Sequence, residues 1–534
     1  MKVVPRGSLV LLNIVFDVEN DEGLLFFLSM KRQINQLWGS GFEKKTKTSV
    51  IDFTAGRDVF GVPPADIVLL PYDVWVNQAH CTMLAETKII PRADASALLA
   101  GLKEIEGMVK QGAFPIDTHK EDVHTAIESW LTAKLGIEKA GKLHTARSRN
   151  DQSTTDVRMY LRDQVYAFVQ EGVPLCLMLV KLAKKYAPYV MPGFTHHQHA
   201  MVTTFGHVLL GWAVMLARDM ARFTQWHTLH NRCPLGGAAS YGTSIGVDRH
   251  LSARLLGFDG PDLSSFDGLT NRWEAEADFA SAIAICMDHC SQIAQTLMVF
   301  STPEFGMVKL SDEYSTGSSM MPQKKNPDPL EVIKAKASIA AGSLQSLLGM
   351  GKANFIGYNR DGQLGKFITM ELVEETLPSL AILAGALATM HVDQTRMRRW
   401  CSEGFIGATS LAERLVSSYA IPFRLAKIVV EKAVKYSKGA GAVTYPALKR
   451  ALKEQDLRVH ISNTQARLWQ SPEEIVRTTH SFGGPGRERI DETALSVRRQ
   501  VREIARWAHE RYTQRTQAVY ELQDYIIRIT KPTS

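Results

Sequence analysis

Residues 273–300 read WEAEADFASAIAICMDHCSQIAQTLMVF, a run with neither glycine nor proline. Within it Ile283, Cys286, Cys290, Ile293 and Leu297 recur at spacings of three and four. That is the period of one apolar helix face, with a seam close to a heptad repeat. Working outward, 205–231 and 330–348 carry the same pattern. So does 164–186, apart from Pro174, where a kink is expected. The period-two alternation of strands is scarce. The expected fold is therefore mainly α, with a central bundle of long helices over 148–403.

The flanks read differently. Residues 38–147 form a mostly helical N-terminal domain, more broken over its first part, with Pro63 and Pro64 side by side and short helices expected. Residues 404–534 form a C-terminal helical domain. Its helical segment 410–433 follows Gly404 and Gly407 and stops before KGAGA (438–442), and GGPG (483–486) precedes an extra charged helix at 489–528. No internal repeat or low-complexity segment is visible. Residues 1–37 read as an extension. Its apolar run SLVLLNIVF (8–16) is short, lacks a small-residue cleavage site and is followed by Asp17, Glu19, Asp21 and Glu22, so a signal peptide is not expected. MKRQINQLWGSGF from Met30 reads as a fresh start, leaving 1–29 as a mis-called or loose beginning.

Composition narrows the classes. The chain has 534 residues, 45% hydrophobic and 22% charged, so it has ample length for a large core and two to four domains are expected. The net charge is +7 with no block of six like charges, which argues against a nucleic-acid partner but suits a polyanionic substrate. No run of 18 apolar residues occurs, so no membrane partner is expected. Six sparse cysteines point to a reduced, cytoplasmic protein.

Long bundle helices should be polar only on their outer faces. KLHTARSRNDQSTTD (142–156), PGFTHHQH (192–199) and STGSSMMPQKKNPDPLE (315–331) break that rule, with dense polar groups beside glycines. The third has the composition of a mobile loop, then changes character at Asp328-Pro329-Leu330-Glu331. These four read as an N-cap, a proline at the first helical position and a capping-box glutamate. Lys324, Lys325 and Asn326 stand just before that helix start. Two ammonium groups, an amide and free backbone N–H groups converge there, a place for a carboxylate or a developing oxyanion. As isolated features they would equally suit a solvated basic loop.

GSSMMPQKKNP (317–327) resembles the signature loop of the fumarase/aspartase superfamily. HTARSRNDQSTTD (144–156), FTHHQ (194–198) with VTTFGH (202–207) downstream, and YNRDGQLGK (358–366) resemble the argininosuccinate lyase family in particular. The likeness runs from LWGSGF (37–42) to GGPG. It implies a three-domain fumarase/aspartase-like fold, a homotetramer whose sites each draw on three chains, and no cofactor. It further implies a carbon–nitrogen lyase that reversibly eliminates fumarate from an N-substituted aspartate. In that reaction a weakly acidic C–H next to a carboxylate loses its proton, and the dianionic aci-carboxylate must be held by preorganised donors, each worth about 3–4 kcal/mol.

By this resemblance Ser318 is the base, ahead of Ser319, while Lys324 and Asn326 hold the developing charge. His196 pairs with Glu331 to tune proton transfer. Thr195, Gln198, Ser148, Arg149 and Asn150 hydrogen-bond carboxylate oxygens, and Tyr358, Gln363 and Lys366 handle the second half of the substrate. A metal on His196, His197 and His199 is the competing reading of that cluster. It is disfavoured because no carboxylate is interleaved. Cys286, His289 and Cys290 lie within the apolar seam and read as core. GMGK (349–352) lacks the upstream glycine and following hydroxyl of a phosphate loop.

Departures fall on the amine side. The family's D-[IV]-x-[GA]-S-x-A-H is here Asp73-Val74-Trp75-Val76-Asn77-Gln78-Ala79-His80, so Asn77 stands where the substrate-binding serine is expected. Ala146 replaces the glycine of HTGRSRND, and His199-Ala200-Met201-Val202 replaces Arg-Ala-Gln-Pro. Asn271-Arg272-Trp273 replaces a DRD turn, and 234–240 read PLGGAAS. The amine is thereby open between argininosuccinate and another N-succinyl amine, such as the aminopolycarboxylate ethylenediamine-disuccinate. The alternative from another class is a catalytically silent structural relative, like the lens crystallins of this family. The joint survival of Ser318, His196, Lys324 and Asn326 favours an enzyme.

Overall fold

The computed structural model describes residues 39–55, 61, 63–116 and 122–531. The expectations for 1–37, including the 8–16 run and the start at Met30, lie outside the described residues. Helices Arg149–Lys185, Phe205–His230, Arg272–Ser301 and Asp328–Gly351 make the central bundle, closed by Gly365–Thr376 and Pro378–Thr389. The seam read at 273–300 is realised: Ile283, Cys286, Cys290, Ile293 and Leu297 are all buried. Asp328–Gly351 runs antiparallel to that helix. Lys334 bonds to Gln295 near one end, and Gly351 lies so close to the Trp273 ring that a Cβ there would fall 2.2 Å from it.

Arg149–Lys185 passes through Pro174 as one helix. Pro174 sits on an exposed face, where water can serve the carbonyl that its missing N–H leaves free. Two stretches, in Arg149–Lys185 and 360–389, are long and apolar enough by composition to cross a bilayer, but both are mostly buried within the bundle.

The N-terminal part is less broken than expected. Ala65–Glu86 runs for 22 residues and Arg92–Lys110 for 19. Pro64 and Pro91 precede these helices rather than interrupting them. In the C-terminal part the expected 410–433 helix is two, Ala408–Tyr419 and Phe423–Tyr436. They are separated by left-handed Ala420 and by Pro422, which cannot continue the first helix. Leu411, Leu415, Val429, Leu448 and Trp469 form a separate core in this part. The last helix, Arg487–Thr530, buries Ile490, Val501, Leu522 and Ile526 in the main core instead.

The longest of three strand pairs among the described residues interrupts the helices at a stretch not read as strand from the sequence. Val190–Thr195 pairs antiparallel with Gln198–Thr204, and Val190 and Val202 pack on Cys401, Ile406, Ile475 and Val476. Gly206 lets the next helix leave close by, since a Cβ there would lie 2.4 Å from the Ala183 carbonyl oxygen. All six cysteines are free and buried.

Candidate active site

The RSRND stretch starts a helix. Ser148 is the N-cap: its Oγ accepts from Asn150 N at 3.2 Å, and its own N donates to Asp151 Oδ1 at 2.9 Å. The second oxygen of Asp151 accepts from Gly236 N and Ala238 N, each at 2.9 Å. One buried carboxylate thus joins the helix start to the 236–238 turn. Burial pushes that carboxyl up to about 6, against the pull of its three backbone donors. Just before it, Arg147 Nη2 donates to Asn77 Oδ1 at 2.7 Å, and Asn77 Nδ2 donates to the Asp73 carbonyl at 2.8 Å. Asn77 is buried and serves Arg147. Arg149 lies 3.5 Å from Asp122.

The YNRDGQLGK segment docks at the same end. Tyr358 OH donates to Gln363 Oε1 at 2.9 Å, and buried Lys366 pairs with Asp66. Gly365 lies directly on the Glu276 carboxylate, where a Cβ would fall 1.6 Å from Oε2. Burial raises Glu276 to about 7.

The opposite end carries the other two stretches. Thr195, His196, His197 and Gln198 form the exposed tip of the hairpin. His196 and His197 make its two-residue turn with φ of 54° and 59°, the left-handed values such a turn requires. Strained positions of this kind persist at working sites. His199 turns away, its ring edge-on to Phe194 and Trp400 at 5.3 Å each.

In the signature loop, Thr316–Gly317 pairs with Lys325–Asn326 and presents 318–324 between them. Ser318 Oγ accepts from Met320 N at 3.2 Å and Met321 N at 3.0 Å. Lys325 is held by Asp312, whereas Lys324 projects into solvent with no side-chain partner among the described residues. The helix begins at Asp328 itself, with Pro327 as N-cap. Asp328 accepts from the Thr316 hydroxyl instead of capping, so the capping box expected with Glu331 does not form and Glu331 is exposed in the first turn.

Within one chain the sequence-predicted residues fall into two groups. Ser148, Arg149, Asn150, Asn77, Tyr358, Gln363 and Lys366 lie at one end. Thr195, His196, Gln198, Ser318, Lys324, Asn326 and Glu331 lie toward the other. The 37 residues of Arg149–Lys185 span about 55 Å between RSRND and the hairpin. No hydrogen bond or ion pair joins His196 to Glu331 in the chain.

Sequence reasoning missed Asp73, His124, Asp156 and Arg147, which cluster behind Asn77. Arg147 and Asp156 sat inside a quoted motif without being singled out, and Asp73 opened another. His124 carried no signal, because only the packing of Val123–Leu135 onto the neighbouring helices reveals its partners.

The profile of a family described as Lyase matches residues 57–342. The argininosuccinate lyase of Hahella chejuensis is 38% identical over 76% of this chain and 85% of its own length. That of Halorhodospira halophila is 39% identical over 75% and 84%. Among solved structures, EDDS lyase in complex with formate is similar with a TM-score of 0.83 at 24% identity, covering 91% of this chain and 96% of that one. The 3-carboxy-cis,cis-muconate lactonizing enzyme of Pseudomonas putida shares the fold with a TM-score of 0.67 at 18% identity, covering 85% and 99%. The chain belongs to the argininosuccinate lyase family of carbon–nitrogen lyases.

Proposed function

We propose that this carbon–nitrogen lyase releases fumarate from an N-succinyl amine, with Ser318 as the base. The observation that carries the base assignment is the pair of backbone N–H groups, of Met320 and Met321, aimed at Ser318 Oγ. Donors that favour the charged form of a group lower its pKa, and an alkoxide is the form that can take a carbon-bound proton. Lys324, Asn326 and the start of Asp328–Gly351 hold the aci-carboxylate, whose charge needs cations and free N–H groups. His196, oriented by Glu331, serves the leaving amine. Thr195, Gln198, Ser148, Arg149 and Asn150 hold carboxylates, and Tyr358, Gln363 and Lys366 meet the amine half.

A span of about 55 Å is far beyond a succinyl amine, so the complete site is assembled from several copies. The reading is a homotetramer in which each site draws on three chains. Argininosuccinate and ethylenediamine-disuccinate are the two substrates that bracket the altered amine side. Free buried thiols suit a reducing compartment such as the cytoplasm.

The experiment is to incubate the protein with a panel of N-succinyl amines, argininosuccinate included, and follow fumarate by its ultraviolet absorbance. Fumarate is expected from at least one member. No fumarate from any, and no deuterium exchange into the succinyl carbon, overturns the reading in favour of a silent relative.

A further inference from the structure

We propose that Asp73, His124 and Asp156 are positioning residues: a buried charge cluster that seats Arg147 on Asn77 and so holds the Ser148–Asn150 wall in place for substrate carboxylates. For its substrate readout this rests on the function proposed above. Three separate elements bring the cluster together: Asp73 from Ala65–Glu86, His124 from Val123–Leu135 and Asp156 from Arg149–Lys185. His124 Nδ1 lies 3.0 Å from Asp73 Oδ1 and 3.9 Å from Asp156 Oδ2. Gln152 also donates to Asp73 Oδ1. Asp73 and Asp156 are wholly buried, and neither oxygen of Asp156 has a hydrogen bond among the described residues.

Burial and the neighbouring Asp73 push the Asp156 carboxyl well above the ordinary carboxylate range, so the anion that most needs fixed positive charge here is Asp73. Two groups supply it, the His124 imidazolium and Arg147. The Arg147 Nε and Nη1 are buried without hydrogen bonds among the described residues, while its Nη2 is committed to Asn77. The attraction between Arg147 and Asp73 therefore acts through space. It is relayed through Asn77 and the adjoining backbone to the N-cap at Ser148. The same set of groups, Asp73, His124 and Asp156, could also converge on a divalent cation. Arg147 already occupies that role electrostatically and would repel one.

The charge on His124 is the testable part. Burial opposes it, but Asp73, then Asp156 and Asp122, hold its pKa up at about 9, against an ordinary 6.5. The other charged groups around it are Arg147, Arg149, His144 and Glu128 on the wall side, and Asp66 beyond Asp156. A raised folded-state value means the stabilisation is complete below pH 6.5, fades through the interval and is gone above about 9.

The experiment compares the wild-type protein with His124→Gln and Asp73→Asn in steady-state fumarate release across pH 6–10. His124→Gln is expected to raise KM about tenfold or more while kcat changes by less than about threefold, the mark of lost substrate placement. The wild-type 1/KM should fall above about pH 9. That limb should be missing in His124→Gln and should move toward neutral pH in Asp73→Asn. A collapse of kcat with KM unchanged would put His124 in the chemistry, and no change in either would leave the cluster merely structural; both overturn the proposal. So does stoichiometric divalent metal in the purified protein. Should no amine release fumarate even from the wild type, the function above fails by itself. The cluster is then judged on ligand-free melting temperature, which should fall from pH 6.5 to 9 in the wild type and stay flatter in His124→Gln. Parallel curves overturn it.

Discussion

The two ends of the bundle are built on opposite plans. At the RSRND end the helix start and its neighbours are tied down by buried contacts: Ser148 with Asn150 and Asp151, Asp151 with the 236–238 turn, Arg147 with Asn77, Lys366 with Asp66. At the other end Lys324, Glu331, His196 and Gln198 project into solvent, and Ser318, the base proposed above, sits on a loop with two local hydrogen bonds. The first end has its ordering entropy spent during folding, which suits a surface that must recognise a fixed pattern of carboxylates. On the function proposed above, the second is the end that substrate and a neighbouring copy would order, as suits a loop that closes over reacting atoms. Substitutions at the open end should therefore cost activity with little stability, whereas those at the closed one should act through folding and substrate placement.

The largest effect is expected at the open end. Ser318→Ala should cut fumarate release by about 10²–10⁴-fold, the range for loss of a positioned acid–base group. Its melting temperature should match the wild type within a degree or so, because the exposed loop contributes little to the core. Ser319→Ala, one residue along and more exposed, should keep most of the activity. If the two variants behave alike, the base is assigned to the wrong residue; if Ser318→Ala also unfolds, the contrast between the ends is wrong.

At the closed end Asp151→Ala should do the reverse at the level of folding. It strands three backbone N–H donors, those of Ser148, Gly236 and Ala238. Buried donors left unpaired cost about 1–3 kcal/mol each before relaxation, so a total near 3 kcal/mol is expected once water reaches some of them. Urea unfolding measures it directly. A loss below about 1 kcal/mol would show that the helix start is held by something other than this carboxylate.

The same contrast explains what could be read without coordinates. The bundle was legible because its signals are local: the seam of 273–300 depends only on helical period, and all five seam residues are buried. The polar stretches were legible because bundle helices rarely carry such groups. Their assignment to opposite ends was also within reach, from helix length alone. What escaped depends on contacts between distant segments. Nothing in 190–204 advertises a hairpin, since its turn uses His196 and His197 where asparagine and glycine would have flagged it. Asp328 looked like an N-cap, yet Thr316 of the facing strand takes its carboxylate. His124 acquires its meaning only from Asp73 and Asp156 on two other helices.

A smaller effect tests where specificity lies. Asn77 occupies a family serine position but spends its side chain on Arg147 and the Asp73 carbonyl. Asn77→Ser shortens that reach and frees the guanidinium. It should shift the ratio of kcat/KM for argininosuccinate over ethylenediamine-disuccinate by about tenfold toward argininosuccinate, equivalent to roughly 1.4 kcal/mol. Val76 is a poorer place to intervene. It is fully buried, and replacing it with glycine in mid-helix would open a cavity and loosen the backbone together. An unchanged ratio in Asn77→Ser would move the specificity determinant from this wall to the 358–366 segment.

The smallest effect concerns backbone alone. Ala146 has φ of 62°, in the left-handed region where an L side chain costs about 1–2 kcal/mol, and it immediately precedes Arg147. Glycine is free of that penalty but brings about 0.4–1 kcal/mol of extra chain entropy to the unfolded state. The difference favours Ala146→Gly by somewhere near 0.5 kcal/mol, visible as a small rise in the urea midpoint at unchanged slope. Activity should stay level, because Arg147 is fixed by Asn77 and by its electrostatic partners rather than by the residue before it. A fall in affinity for substrate on relaxing Ala146 would mean instead that this strained residue helps aim Arg147, and that the closed end stores part of its order as backbone strain.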